Sequence, residues 1–168
     1  MNASARFIAL AMFILLGTLP HSRGADGEAF DRDTLGKLAL EQPAASVLKM
    51  LGKPESKGKD EKWEAIGKCV QEWNYPRQGI SVKMAVAEPK DERRVVMLTA
   101  SGGCTLATSR GIKFCSTEAE VAKAYKDVRN AEDRKAGHTF VAGSVYGGVI
   151  FTISNGKVSE IFIGAAAE

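Results

Sequence analysis

Cys69, Cys104, Cys115 and His138 are the side chains whose types could carry covalent or acid–base chemistry, and their spacing argues against most of it. The cysteines form no CxxC pair, so neither a dithiol redox centre nor a zinc ribbon is supported. His138 would have to act alone as base, acid or metal ligand, because the only other histidine, His21, lies in a segment expected to be removed. No GxSxG elbow places a nucleophilic serine beside it. No HExxH or EF-hand spacing offers a metal cage, and the glycines of "SGGCTLATSRG" lack the GK(S/T) ending of a phosphate loop. The sequence therefore nominates no catalytic residue, no metal ligand and no cofactor. Paired carboxylates meeting only in the fold remain open, which keeps a small extracytoplasmic hydrolase as the alternative reading.

The N-terminus sets the compartment. "MNASAR" places a positive charge before the apolar run "FIALAMFILLG", and turn-prone residues follow. This is the pattern of a signal peptide, residues 1–24, with Ser22 and Gly24 as small residues for cleavage near Gly24. The run is too short for a permanent span, which takes about 20 apolar residues, and no second run follows. The chain is expected to be periplasmic or secreted, with no stable membrane span. Its formal charge of +3 loses Arg6 and Arg23 with the leader and approaches neutrality. Nucleic acid is thus not an expected partner, since the basic runs "KPESKGKDEK" and "EPKDERR" are interleaved with acids and read as solvated loops.

Export carries the three cysteines into an oxidising compartment. Cys104 and Cys115 flank one short loop, "CTLATSRGIKFC", and are the expected disulfide, worth about 3 kcal/mol in the chain-entropy model. Cys69 is then a buried thiol or the partner in a rival pairing. Cys115 also sits just before a helix start, where a free thiolate would be stabilised by the helix dipole. No histidine lies near it in sequence to activate it, and a disulfide would occupy its sulfur.

The elements follow from cap and period. Thr117 with Glu120 forms a capping box, and Val121, Ala124, Tyr125 and Val128 then recur at helical spacing. An earlier short helix is signalled by Pro43, then Val47, Leu48 and Leu51, with Gly52 and Pro54 as the stop. Strands are expected at "CVQEWNYP", at "ISVKMAVA", where Ile80, Val82, Met84 and Val86 alternate with smaller or polar residues, and at "RRVVMLTA". After the second helix come a charged loop and the strands "HTFVAGSVY", "GVIFTIS" and "KVSEIFIG". Asn155-Gly156 marks a two-residue hairpin that pairs Ile153 with Val158 and Phe151 with Glu160. A bulge near Glu160 would return Ile161 and Ile163 to the core face.

Helix, strand, strand, strand thus occurs twice, with "GISV" and "GVIF" at matching places. The expected fold is α+β, two-layer, a tandem helix-plus-antiparallel-sheet repeat. Its alternative is a single curved antiparallel sheet wrapped round a helix. Residues 25–42 form a mature N-terminal segment, residues 43–103 the first unit and residues 104–168 the second, the two making one compact domain.

"TSRGI", the capped helix with "EV" and "AY", and the hairpin ending "NGKVSEIFIG" together resemble exported bacterial proteins with tandem helix-plus-sheet repeats. These are similar in architecture to β-lactamase inhibitor proteins and to the small SmpA/OmlA lipoproteins of outer-membrane assembly. The resemblance covers roughly residues 44–164 and departs from the pattern in two ways. Cys115 stands where a glycine is expected, and the lipid-attachment cysteine is absent. What the resemblance implies is protein binding in the cell envelope rather than a reaction.

Aromatics are the natural contact residues for such a role, because they supply area at low entropic cost. Trp73 and Tyr75 share one face of their strand, with Tyr146 as a counterpart in the second half, although filling the core beneath the helices competes with that use. Trp63, inside the charged segment "KDEKWEAIGK", is the aromatic most expected to be exposed. The reading that emerges is a non-catalytic envelope protein that binds a protein partner.

Overall fold

The computed structural model describes residues 33–130 and 138–166. The chain opens with a small hairpin, β1 (Thr34–Leu35) and β2 (Leu38–Ala39), followed by helix α1 (Ala44–Leu51). Then come β3 (Ser56–Lys57), β4 (Glu61–Trp63), β5 (Lys68–Tyr75), a 3-10 turn at Pro76–Gln78, β6 (Ile80–Val86) and β7 (Arg94–Ala100). Helix α2 (Glu118–Ala124) precedes β8 (Thr139–Ser144), β9 (Gly147–Ser154) and β10 (Lys157–Gly164). The protein is therefore mixed α+β. The eight strands β3 to β10 form one sheet in the order β3-β5-β6-β7-β10-β9-β8, with β4 also on β5, and its pairings are antiparallel. The signal-peptide expectation falls on residues outside the described range.

Period-two alternation builds one apolar face across strands β5 to β10. The register aligns Tyr75, Ile80, Ala100, Ile161, Phe151 and Phe140 in one cross-strand row. Trp73, Val82, Leu98, Ile163, Val149 and Ala142 form the next. All twelve are buried and share one core with Val47 of α1, with Val121 of α2 and Tyr125 at its C-terminal cap, and with Leu35 and Leu38 of the first hairpin. Both helices thus pack on the same side.

Local chemistry fixes each helix end. Thr117 accepts from the Glu120 N–H at 3.2 Å and Glu120 accepts from the Thr117 N–H at 2.7 Å, the reciprocal box expected from the sequence. Such a cap contributes about 1 kcal/mol. At the C-terminal end of α1 the orphan carbonyls of Leu51 and Gly52 accept from Gln78 Nε2 at 3.2 Å and Tyr75 Oη at 3.3 Å. The hairpin at Asn155-Gly156 pairs Ile153 with Val158 as expected. One extra residue, Ser159, then shifts the register so that Phe151 faces Ile161 rather than Glu160, and Ile161 and Ile163 return to the core.

Several site expectations change. Trp73 is 3 % exposed and Tyr75 1 %, so both fill the core: the face they share is the one the helices cover. Trp63 lies in β4 rather than in a solvated loop, half-buried, with Lys83 Nζ 4.6 Å from its ring centroid. No disulfide is found among the described residues: Cys69, Cys104 and Cys115 are separate thiols, with Cys104 buried and Cys115 exposed. Cys115 has φ 69°, the left-handed backbone that favours glycine, in the place where the resemblance called for one.

Candidate functional site

Among the described residues no helix covers the opposite face of the sheet. Val141, Ile150 and Phe162 align across β8, β9 and β10, and the row continues through Thr99, Ser81 and Asn74 to Ser56. It runs from apolar to hydroxyl and amide groups. Ile150 and Phe162 are half-buried, and Val141 and the neighbouring Met97 are each 8 % exposed. At the polar end, Ser56, Asn74, Ser81, Thr99 and Ser101 border an open cleft of about 460 Å³, where Ser81 Oγ donates to Glu72 Oε1 at 2.6 Å.

Beside the apolar row Gly143, Gly148 and Gly164 align on the same three strands. A Cβ at Gly148 would collide with the Ala142 carbonyl oxygen, and one at Gly164 would lie 2.9 Å from the Val96 oxygen. Only glycine allows the backbones to come this close. The β8–β9 turn just beyond is fixed from both sides, as the Ala166 N–H donates to the Val145 oxygen at 2.7 Å and the Tyr146 N–H to Ser144 Oγ at 3.2 Å. It presents Val145 at 39 % exposure and Tyr146 at 76 %. Of the sequence-nominated aromatics, Tyr146 is the one displayed to solvent.

Because neighbouring strands run in opposite directions, β5 and β9 begin, and β8 and β10 end, at the same end of the sheet. The β4–β5 turn with Ile66, 45 % exposed, therefore lies at the same end as Val145 and Tyr146. The sequence reading missed Ile66, Ile150 and Phe162. The shared face of Ile150 and Phe162 shows only when the Ser159 bulge is placed, and no single-strand pattern reveals it.

A buried polar cluster lies on the helix side. Asp33, 4 % exposed, accepts from Tyr125 Oη at 2.7 Å, Ser109 Oγ at 2.6 Å, the Ser109 N–H at 3.1 Å and the Thr34 N–H at 2.9 Å. The Arg110 guanidinium stacks 4.8 Å from the Tyr125 ring centroid and donates to Asp127 at 2.6 Å and to the Ala124 oxygen at 2.9 Å. Its hydrogen bond to Asp127 pushes the guanidinium pKa up and holds the Asp127 carboxyl below the ordinary range. Asp33 meets four protein donors, three on Oδ1 and one on Oδ2, so the cluster is a tether between distant segments.

Burial pushes the Tyr125 phenol well above its ordinary pKa, and burial also raises Tyr75. A raised tyrosine adds stability that is complete below the unfolded pKa of about 10 and is lost as pH climbs above it, because the unfolded chain ionises first. Urea unfolding of the Tyr125→Phe variant should therefore show a flatter decline above pH ~10, by about 1.4 kcal/mol per pH unit, than the parent. Parallel curves would contradict this assignment.

His138 is exposed at the entry of β8, with its backbone oxygen accepting from the Ile153 N–H at 2.7 Å. It is not brought to the Asp33–Tyr125 cluster by any hydrogen bond. Asp91 and Glu92 border a cleft of about 310 Å³ with Lys68 and Arg94, and Glu92 Oε1 accepts from the Ala45 N–H at the start of α1, at 3.3 Å. Among the described residues no group of three or more His, Cys, Asp or Glu is placed to hold a metal ion. No helix among them is long and apolar enough to cross a membrane. No protein-family model, no curated protein and no solved structure matches this chain.

Proposed function

We propose that the protein is an exported, non-catalytic module that binds a protein partner in the cell envelope through the helix-free face of its sheet and the turns at one end of it. The observation that carries this reading is the display of Tyr146, 76 % exposed on a turn fixed by hydrogen bonds, beside a face where Ile150 and Phe162 stay partly open. A rigid aromatic next to a moderately apolar surface is the usual composition of an interface centre. Val145 and Ile66 at the same end extend that surface.

The tandem helix-plus-sheet reading is supported by the strand order. Helix α1 precedes the meander β5-β6-β7 and helix α2 the meander β8-β9-β10, and the two meanders meet at β7 and β10. We take the chain as two such units sharing one sheet, cut from its precursor near Gly24 and released to the periplasm or the medium.

Affinity capture from envelope extract tests the function. Tyr146→Ala should leave stability within about 0.5 kcal/mol of the parent, as for surface changes generally, yet lose retention of the partner. Trp63→Ala should retain it, because the Trp63 ring is already engaged by Lys83. Equal recovery by the parent and Tyr146→Ala would exclude Tyr146 as an anchor.

A further inference from the structure

The first described segment, Asp33–Ala39, is built as a strap. Leu35 and Leu38, each 1 % exposed, insert into the core, and the Asp33 carboxylate reaches Tyr125 and Ser109 in the second half of the chain. Its backbone contacts are few: the Gly36 N–H donates to the Ala107 oxygen at 2.7 Å and the Ser109 N–H to the Thr34 oxygen at 3.1 Å. The β1–β2 hairpin stands as a separate two-stranded sheet and makes no ladder with the large one. Where the strap meets the body, Glu41 has φ 61°, a left-handed backbone unfavourable for a residue with a side chain, and Pro43 follows two positions later. Glu41 and Gln42 are pinned there by bonds with Val95: the Glu41 N–H donates to the Val95 oxygen at 2.8 Å and the Val95 N–H to the Gln42 oxygen at 2.9 Å.

We propose that Asp33–Ala39 opens and closes as one unit about a hinge at Glu41, independently of the sheet, and that the Asp33 carboxylate is its latch. Two features favour separate opening over global unfolding: the strap is attached by a few side chains and backbone bonds rather than a ladder, and its hinge is strained in the closed form. Opening uncovers Tyr125, which packs on Phe151 with ring centroids 5.0 Å apart, and the loop around Leu106 that Gly36 faces. The strap thus covers part of the core with Leu35 and Leu38.

Amide hydrogen exchange by NMR on the chain purified after export tests the proposal. The Gly36 and Ser109 amides report strap opening, while those of Val82, Phe151 and Ile163 report the sheet. The expected result is that Gly36 and Ser109 exchange at least about 10-fold faster than the sheet amides, with weak dependence on low denaturant. Tyr125→Phe, which removes one hydrogen bond from the latch, should speed the strap amides further by about 5- to 10-fold relative to the sheet amides. Glu41→Gly, which relieves the closed-state hinge, should slow them relative to the same reference. Exchange of Gly36 and Ser109 at the rate and denaturant dependence of the sheet amides would overturn the proposal in the parent protein alone, whatever the variants do.

Discussion

Replacing Phe151 by alanine is expected to remove about 3–5 kcal/mol of stability, the usual cost of deleting a buried phenyl ring. Phe151 is 0 % exposed in the middle of β9, with its ring against Tyr125 at 5.0 Å and Phe140 at 6.2 Å. It joins the sheet to α2, so the surroundings can collapse into the vacated space only by moving a helix. Small domains have about 5–15 kcal/mol in total, and the variant should populate unfolded chains at ordinary temperature or refold poorly. Phe162→Ala, one strand away on the other face and half-buried, should cost about 1 kcal/mol. Urea midpoints of the two variants compare the faces directly. Equal losses would mean that the helices do not define the core side.

Asp33→Ala is expected to cost about 3 kcal/mol or more, since it leaves the Tyr125 hydroxyl, the Ser109 hydroxyl and N–H, and the Thr34 N–H without their common acceptor. Asp33→Asn keeps one acceptor oxygen and should lose less. Because the carboxylate and the phenol act on each other, the double variant Asp33→Ala with Tyr125→Phe should be less destabilised than the sum of the singles by about 1 kcal/mol. Equilibrium unfolding of the four proteins gives that coupling. Additive losses would show that the 2.7 Å contact contributes nothing of its own.

Much of the framework was legible in the sequence because it rests on local chemistry. Thr117 and Glu120 lie three residues apart and cap a helix wherever that helix ends up, and Asn155-Gly156 dictates its own turn. The bulge followed from counting inward from that turn, since an unbroken register would have buried Glu160 and exposed Ile161. The site was less legible. Trp73 and Tyr75 share a face by period-two alternation, but which face the helices cover is a tertiary fact, and they cover that one. Trp63 was expected in a loop because charges surround it. In the fold those charges are used across strands, as with Asp60, which accepts from Arg93 at 2.7 and 2.8 Å, and Lys83, which sits over the Trp63 ring. Asp33 gave no sequence signal at all: its partner Tyr125 is ninety-two positions away.

The role of the helix-free face is tested most directly by site-specific photo-crosslinking in cells that produce the chain. A photoreactive residue at position 146 should yield a discrete adduct with one envelope protein, and the same residue at position 49, exposed on α1, should not. Adducts at 49 alone, or none at 146 while the protein is folded and abundant, would contradict a binding surface on this side of the sheet.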